Sequence, residues 1–187
     1  KGRKIGNLGD MTVFSFHPVK SITTGEGGAV LTNDEILYKK MKRFITHGIA
    51  KENFTYESHG PWYIEQQVLG YNYRLTDVQC ALGKSQLGRL DQFIAKRKQL
   101  AARYDSAFVN AKNFVLPPKD TSDVRSAWHL YVIRLKDHLF SKKNEIAETL
   151  IDRGIGVQVH HVPVHIHPYY REHGYANVSL PETERWY

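Results

Sequence analysis

A short apolar segment, followed by a proline, a lysine and a glycine-rich turn, restricts this sequence more than any other stretch. Met11–Phe16 is rich in strand-forming residues, and Pro18 ends the strand because proline cannot donate to a ladder. Residues 25–28, Gly-Glu-Gly-Gly, predict a turn, and Ala29–Thr32 predicts a second strand. The pattern therefore predicts a strand, a loop that carries Lys20, and another strand.

Capping signals predict the helices that follow. Asn33 is a candidate N-cap for a helix over residues 34–46. Thr76 and Gln79 have the spacing of a capping box, which predicts a helix to about residue 86. Apolar residues at three- and four-residue spacing then predict a long helix over residues 87–110.

The second half of the chain predicts a small α/β unit. Residues 128–135 alternate in polarity and predict a strand. Ser141 is a candidate cap for a helix over residues 142–153, and Gly154 fits the position after its end. Residues 155–161 predict another strand. This strand-helix-strand order is typical of a separate α/β domain, so we place a domain boundary within the long helix.

Composition excludes several classes of protein. The chain has 187 residues, no apolar run of membrane-spanning length and no secretory signal at its first residues. Its single cysteine, Cys80, cannot form an internal disulfide, which favours a cytoplasmic setting, and its neighbours predict that it is buried. The net charge of +7 indicates an anionic partner or solvated surface charge. The positive residues form no basic tail, so we expect neither nucleic-acid nor membrane binding.

Lys20 is the first candidate for chemistry. A lysine in a loop is ordinarily a solvated surface residue. Here a strand delivers it beside a glycine-rich turn, and the hydroxyl of Ser15 lies shortly before it. A desolvated lysine can form a Schiff base with an aldehyde cofactor, and a hydroxyl with backbone N–H groups can bind its phosphate. Neither a P-loop nor a dinucleotide fingerprint is present, so ATP and NAD binding are less favoured.

The motifs in this segment resemble a known family. The strings Phe-Ser-Phe-His-x-x-Lys at residues 14–20 and Thr-Gly-Glu-Gly-Gly-Ala-Val at residues 24–30 are similar to the lysine motif of the DegT/DnrJ/EryC1/StrS sugar aminotransferases. The resemblance continues through His-Gly-Ile at 47–49, Gly-Tyr-Asn-Tyr-Arg-Leu-Thr-Asp at 70–77 and Gly-Ile-Gly at 154–156. Within the family, the spelling is most similar to the 4-aminotransferases of pseudaminic acid synthesis.

The resemblance implies roles for five residues. Lys20 matches the lysine that forms the Schiff base with pyridoxal 5'-phosphate (PLP) and moves a proton, and Ser15 matches a phosphate-binding serine. Asn72 matches an asparagine that reaches the cofactor phosphate of the neighbouring subunit, although by its own pattern it is a turn residue in an aromatic loop. Arg74 and His160 match positions near the substrate.

The resemblance also implies the architecture and the reaction. The fold is expected to be α/β, a PLP-dependent transferase of fold type I like aspartate aminotransferase. Residues 1–88 would form the C-terminal part of the large domain, and residues 89–187 the connecting helix and a truncated small domain. The implied reaction transfers an amino group, by family habit from glutamate, to a nucleotide-linked 4-keto-6-deoxy sugar in a homodimer with shared active sites. We expect these residues alone to be inactive, because the family's aspartate at the cofactor ring nitrogen lies upstream of residue 1.

Two other functions remain open at this point. A sugar dehydratase branch of the family carries histidine in place of the lysine, so Lys20 argues against it. A relative that keeps the fold without the chemistry is the other alternative.

A cluster of histidines is the last candidate site. His160, His161, His165 and His167 fall within eight residues. No carboxylate or cysteine is nearby in sequence, so we predict no metal site. Binding of an anionic diphosphate and structural packing are the alternatives that we favour.

Overall fold

The computed structural model describes residues 3–187 and divides into two compact units. The first unit comprises the described residues up to Arg103 together with Asp120–Leu130, and the second comprises Tyr104–Lys119 and Tyr131–Tyr187. The division falls inside one long helix, after Arg103. In the described part of the chain no helix is long and apolar enough to cross a membrane.

A two-stranded antiparallel hairpin begins the first unit and agrees with the predicted strands. Strand β1 is Thr12–Ser15 and strand β2 is Gly28–Leu31, with Ser15 opposite Gly28 in the register. Gly28 is required at this place, because a Cβ there would lie 2.7 Å from the carbonyl oxygen of Phe14 on the paired strand. The hairpin therefore brings the two ends of the lysine loop together.

Helix α1, Glu35–Phe44, follows the hairpin. Its N-cap is Asp34, whose carboxylate accepts from the backbone N–H of Ile36 and Leu37, so the prediction of Asn33 as the cap was wrong by one residue. The Asn33 amide instead contacts the side chain of Asn7. Two short paired strands follow, β3 at Ile49–Ala50 and β4 at Glu65–Gln66.

Helices α2, Asp77–Leu87, and α3, Leu90–Ala107, confirm the two predicted segments but are separate helices. The predicted capping box at the start of α2 is present, with Thr76 and Gln79 bonded reciprocally. Gly88 caps the end of α2, and the chain turns there before α3 begins. Cys80 on α2 is exposed, so its predicted burial was wrong; the neighbouring Val78 is 80% exposed, because no described residue covers this face.

The second unit has less regular structure than its sequence predicted. Strand β5, Phe114–Val115, pairs with strand β6, Arg134–Leu135. The rest of the predicted strand at 128–135 forms no ladder: Trp128 has a φ of 50°, which breaks the extended backbone, and β5 is only two residues long. Residues 155–161 also form no strand, since no described strand lies beside them to complete a ladder.

Short helical segments complete this unit. Helix α4, Lys143–Asp152, follows a 3₁₀ turn at Asp137–Lys142, and Lys142 is its N-cap, so the predicted Ser141 cap was wrong. Gly154 adopts a φ of 77° after α4, as predicted for a helix terminator. A 3₁₀ turn at Val164–Ile166 leads into α5, Pro168–Tyr170, a π turn at Arg171–Tyr175, and α6, Pro181–Trp186.

Apolar side chains are unusually exposed. Among the described residues, the apolar side chains that are buried are those of Ala50 and Ala101, whereas Val13 is 76% and Leu69 is 83% exposed. The accessible surface is 15261 Å², against about 9200 Å² expected for a folded monomer of this mass. Apolar surface on this scale is typical of faces that other protein covers.

Candidate active site

The loop over residues 16–27, between β1 and β2, forms a closed structure that we call the lysine loop. At its base the backbone N–H of Phe16 donates to the carbonyl of Gly27 at 2.8 Å. The carbonyl of Phe16 accepts from the backbone N–H of Thr24 at 3.1 Å and from the Thr23 hydroxyl at 3.0 Å. The Thr24 hydroxyl donates to the carbonyl of Glu26 at 2.7 Å. These bonds hold the loop by its own backbone and hydroxyl groups.

A tight turn places Lys20 in this loop. The backbone N–H of Lys20 donates to the carbonyl of His17 at 2.9 Å, and the N–H of Val19 donates to His17 Nδ1 at 3.3 Å. The N–H of His17 donates to the hydroxyl of Ser15 at 3.4 Å. Pro18 occupies the turn, where its fixed φ suits the bend. The Lys20 side chain is half-buried and makes no turn contact of its own, so its amine is available to a ligand.

Helix α2 supports the loop on the side of the glycine turn. The buried Thr24 lies against Gly83 of α2, where a Cβ would approach Thr24 Cγ2 to 2.8 Å. Gly27 has a φ of 153°, and a Cβ there would lie 2.4 Å from Thr24 Oγ1. The side-chain amide of Gln79 donates to the carbonyl of Glu26 at 2.9 Å. The glycines of the motif are therefore required by backbone conformation and close packing.

Helix α3 supports the loop on the side of Lys20. Arg97 Nη1 donates to the Ser21 hydroxyl at 2.9 Å, and Nη2 donates to the Lys20 carbonyl at 3.2 Å. An open cavity of about 340 Å³ lies between the loop and the two helices. Three cationic side chains line it, with hydroxyl and amide groups beside them: Lys20, Lys96, Arg97, Ser21, Thr23 and Gln86. The cavity can accept an anionic ligand that reacts with a primary amine.

The structure places the five predicted site residues in three regions. Lys20 lines the cavity, and Ser15 is exposed at the end of β1. Asn72 and Arg74 are exposed in the segment after β4, and His160 is exposed in the second unit. Among residues 3–187 no hydrogen bond or ion pair joins the side chains of any two of these five residues. Their predicted roles therefore stay predictions.

The backbone around Asn72 is fixed although its side chain is exposed. Asn72 pairs with Thr46 in an isolated antiparallel bridge. On either side of it, the N–H of Tyr71 donates to Phe44 O at 2.7 Å and the N–H of Tyr73 donates to Ile45 O at 3.0 Å. The rings of Tyr71 and Tyr73 stack with centroids 4.8 Å apart. The segment therefore presents Asn72 to solvent from a rigid base at the end of α1.

A buried carboxylate orders the aromatic loop that precedes this segment. Both oxygens of Glu65 accept from the backbone N–H of Thr55, at 3.0 and 2.9 Å, and Gln67 Nε2 donates to one of them at 3.2 Å. The Thr55 side chain lowers the pKa of Glu65 most, and the N–H groups of Thr55 and Tyr56 lower it further, while burial opposes them. The ionised carboxylate is thus the form that holds the loop.

The histidine cluster divides into separate environments. His165 is 6% exposed, and its Nε2 lies 2.9 Å from Glu184 Oε1. The N–H of Leu180, followed by His165, lowers the pKa of Glu184. His173 Nδ1 lies 2.6 Å from the carbonyl of Tyr169. Among the described residues no three His, Cys, Asp or Glu side chains are grouped to hold a metal ion.

The fold is that of the PLP-dependent sugar aminotransferases, as the solved structures most similar to it show. Helicobacter pylori PseC, an aminotransferase involved in the biosynthesis of pseudoaminic acid, has a TM-score of 0.89 and 37% identity over 100% of this chain and 48% of its own. The PLP form of Spr1654 from Streptococcus pneumoniae has a TM-score of 0.81 and 30% identity over 93% of this chain and 43% of its own. The predicted fold class is confirmed.

The chain belongs to the DegT/DnrJ/EryC1/StrS aminotransferase family, whose model matches residues 1–187. A curated relative, UDP-4-amino-4,6-dideoxy-N-acetyl-beta-L-altrosamine transaminase from Campylobacter jejuni, is 42% identical over 188 residues, which cover 100% of this chain and 47% of the relative. The chain spans about half the length of the curated relatives that it matches. The resemblance inferred from the lysine motif is therefore confirmed.

Two residues of the site were missed in the sequence. Gln79 was interpreted only as part of a capping box, and Arg97 was not singled out at all. A signal for Arg97 was present: it lies between Phe93 and Leu100, at the spacing of the apolar stripe, where a charged residue is unexpected. Gln79 gave no such signal, because its second bond joins segments that are distant in sequence.

Proposed function

We propose that the protein containing this chain is a PLP-dependent aminotransferase that moves an amino group from glutamate to a nucleotide-linked 4-keto-6-deoxy sugar. The observation that carries the proposal is the setting of Lys20, whose backbone is bonded on both sides while its amine borders a cationic cavity. The names of the Campylobacter and Helicobacter relatives support a UDP-linked sugar as the substrate.

The groups at the cavity fit PLP by their chemistry. A phosphorylated aldehyde requires a primary amine, and its phosphate requires hydroxyl or cationic donors. The lysine loop supplies the amine of Lys20 and the hydroxyls of Ser21 and Thr23, and the cations of α3 lie beside them. Ser15, at the end of β1, adds an exposed hydroxyl that suits a phosphate at the mouth of the loop. We therefore assign Lys20 and Ser15 as cofactor-binding residues.

In this mechanism the chain binds, orients and moves protons. PLP, when bound, supplies an electron sink for the carbon that exchanges the amino group. Lys20 Nζ holds the cofactor covalently, is displaced by the incoming amine, and then moves a proton as a general acid–base. The turn at His17 fixes where this amine can reach. Arg74 and His160 are proposed to contact the substrate, and the basic surface suits its diphosphate.

Further protein is proposed to complete the site. We assign residues 1–88 to the C-terminal part of a large domain, and residues 89–187 to the connecting helix and a small domain. The protein is proposed to act as a cytoplasmic homodimer in which Asn72 reaches the cofactor phosphate in the neighbouring subunit. The large exposed apolar surface supports covering by other protein, and the exposed side chain of Asn72 is free to reach outward.

The proposal is tested with the Lys20→Ala variant of the full-length protein. We expect it to lose turnover of glutamate with the UDP-linked keto sugar, and to lose the borohydride-trappable bond between protein and PLP, while its far-UV circular dichroism is unchanged. Lys84→Ala, which removes an exposed lysine from α2, is the matched control and is expected to behave like the wild type. Turnover by Lys20→Ala near the wild-type rate would contradict the proposal. A wild-type protein that binds PLP without turnover would indicate a non-catalytic relative.

A further inference from the structure

Arg97 connects helix α3 to the backbone of the lysine loop. One nitrogen of its guanidinium donates to the Ser21 hydroxyl at 2.9 Å, and another donates to the Lys20 carbonyl at 3.2 Å. Two neighbouring positions of the loop are thus held by one planar, permanently charged group. A lysine cannot replace this arrangement, because a single ammonium lacks the rigid fork of donors.

The position of Arg97 in α3 is what allows this contact. Phe93, Lys96, Arg97 and Leu100 all line the cavity, and their spacing places them on one face of the helix. The side chain of Arg97 is half-buried there, between two apolar neighbours. Partial burial strengthens the hydrogen bonds of the guanidinium relative to fully solvated ones.

The Arg97 bond completes the support of the Lys20 backbone. The N–H of Lys20 is already bonded to the carbonyl of His17 at 2.9 Å, and Arg97 binds its carbonyl. With both peptide groups fixed, the direction of the Cα–Cβ bond is fixed as well, while the aliphatic chain and the amine stay free. A nucleophile needs this combination, because its reacting atom must reach one place without being held by other bonds.

We propose that Arg97 is a positioning residue for Lys20, setting the direction in which the lysine amine enters the cofactor site. The inference rests on the proposed function, since it assumes that Lys20 binds PLP. It predicts that loss of Arg97 loosens the lysine loop without PLP present, and slows formation of the Lys20–PLP bond when PLP is added.

The first measurement uses the full-length protein freed of PLP, so that the state of the loop is read without catalysis. Hydrogen exchange of the amides of residues 17–24 is followed in the wild type, Arg97→Gln and Arg97→Lys. Arg97→Gln is expected to lower protection there by about tenfold or more, the scale of losing a hydrogen bond to a charged group. Arg97→Lys is expected to fall between the two, and protection in α2 is expected to be unchanged.

The second measurement is the rate of PLP loading, followed by the absorbance of the Lys20–PLP bond and by borohydride trapping. Arg97→Gln is expected to load PLP about tenfold more slowly, whereas turnover at saturating PLP falls less. Ser21→Ala loses one of the two bonds and is expected to have a smaller effect. In the double variant, the effect of Ser21→Ala is expected to vanish, because its partner is gone.

A matched control separates positioning from the general effect of charge. Arg103→Gln removes an exposed arginine from the same helix and is expected to match the wild type in both measurements. If the wild type forms the trappable bond, and Arg97→Gln equals it in loop protection and loading rate, the inference is overturned and the proposed function stands. If the wild type forms no such bond, the proposed function fails and the inference fails with it.

Discussion

The side-chain amide of Gln79 donates to the carbonyl oxygen of Glu26 over 2.9 Å, and so ties the start of helix α2 to the glycine turn of the lysine loop. The other end of the same amide, Oε1, accepts from the backbone N–H of Thr76 at 3.0 Å and completes the capping box. One side chain therefore serves a local structure and a contact between segments far apart in the chain.

Gln79→Glu separates these two roles. Glutamate keeps the acceptor of the capping box and suits a helix N-terminus, so α2 is expected to be retained. It loses the donor to Glu26, and the loop is expected to be destabilised by about 1 kcal/mol. Hydrogen exchange of residues 24–28 and of α2 measures the two effects separately. Gln79→Ala, which lacks both bonds, is expected to weaken both segments. Wild-type protection of residues 24–28 in Gln79→Glu would refute the role of the amide.

Gly83→Ala tests the close packing of α2 on the loop. Alanine in a helix interior is favoured over glycine by about 1 kcal/mol. At this position the added Cβ would lie 2.8 Å from Thr24 Cγ2, and the buried, β-branched Thr24 has little freedom to move. Overpacking by one methyl costs about 1–3 kcal/mol, so we expect a net loss of stability in urea unfolding of the full-length protein. Gly88→Ala, with its nearest contact at 3.6 Å, is the control and is expected to be neutral or stabilising. A Gly83→Ala protein more stable than the wild type would show that the contact is not tight.

The aromatic loop is expected to loosen in acid because of Glu65. The pKa of this carboxylate is below its ordinary value of 4.5 in the folded protein. Its contribution to stability is therefore complete above that ordinary value, and is lost as the pH falls through the lower folded value. Protection factors of residues 53–58 are expected to fall over this range in the wild type. In Glu65→Gln they are expected to be low throughout and independent of pH. Glu57→Gln removes an exposed carboxylate from the same loop as a control, and a wild-type protection factor that did not change with pH would contradict the prediction.

Mixed dimers test whether Asn72 acts across a subunit interface. Asn72→Ala alone is expected to weaken PLP retention by roughly 0.5–3 kcal/mol, the scale of a hydrogen bond to a charged group. Mixing full-length Lys20→Ala subunits with Asn72→Ala subunits is expected to restore part of the activity, because one of the two shared sites then carries neither change. The activity of the mixture is measured beside each variant alone. Verified mixed dimers without any recovery would place Asn72 in the site of its own subunit.

The sequence predicted the elements whose signals are local. The hairpin over β1 and β2, the capping box at Thr76 and the glycine end of α4 all depend on residues within one turn or one strand, and all are present. The strands predicted at 128–135 and 155–161 were largely absent, because a strand requires a partner that no local pattern supplies. The burial predicted for Cys80 was wrong for the same reason, since burial depends on which other segments cover a helix face.

The sequence by itself determined the family, through the order of residues in the lysine and glycine motifs, because the backbone conformation at Gly27 and Gly28 and the amine of Lys20 are properties of the residues themselves. The tertiary structure alone decided what holds that motif in place. Gln79 and Arg97 lie 53 and 77 positions from the backbone carbonyls of Glu26 and Lys20 that they bind. No periodicity or propensity encodes such contacts, since they form only when packing of α2 and α3 brings polar side chains to backbone groups that the loop leaves unpaired.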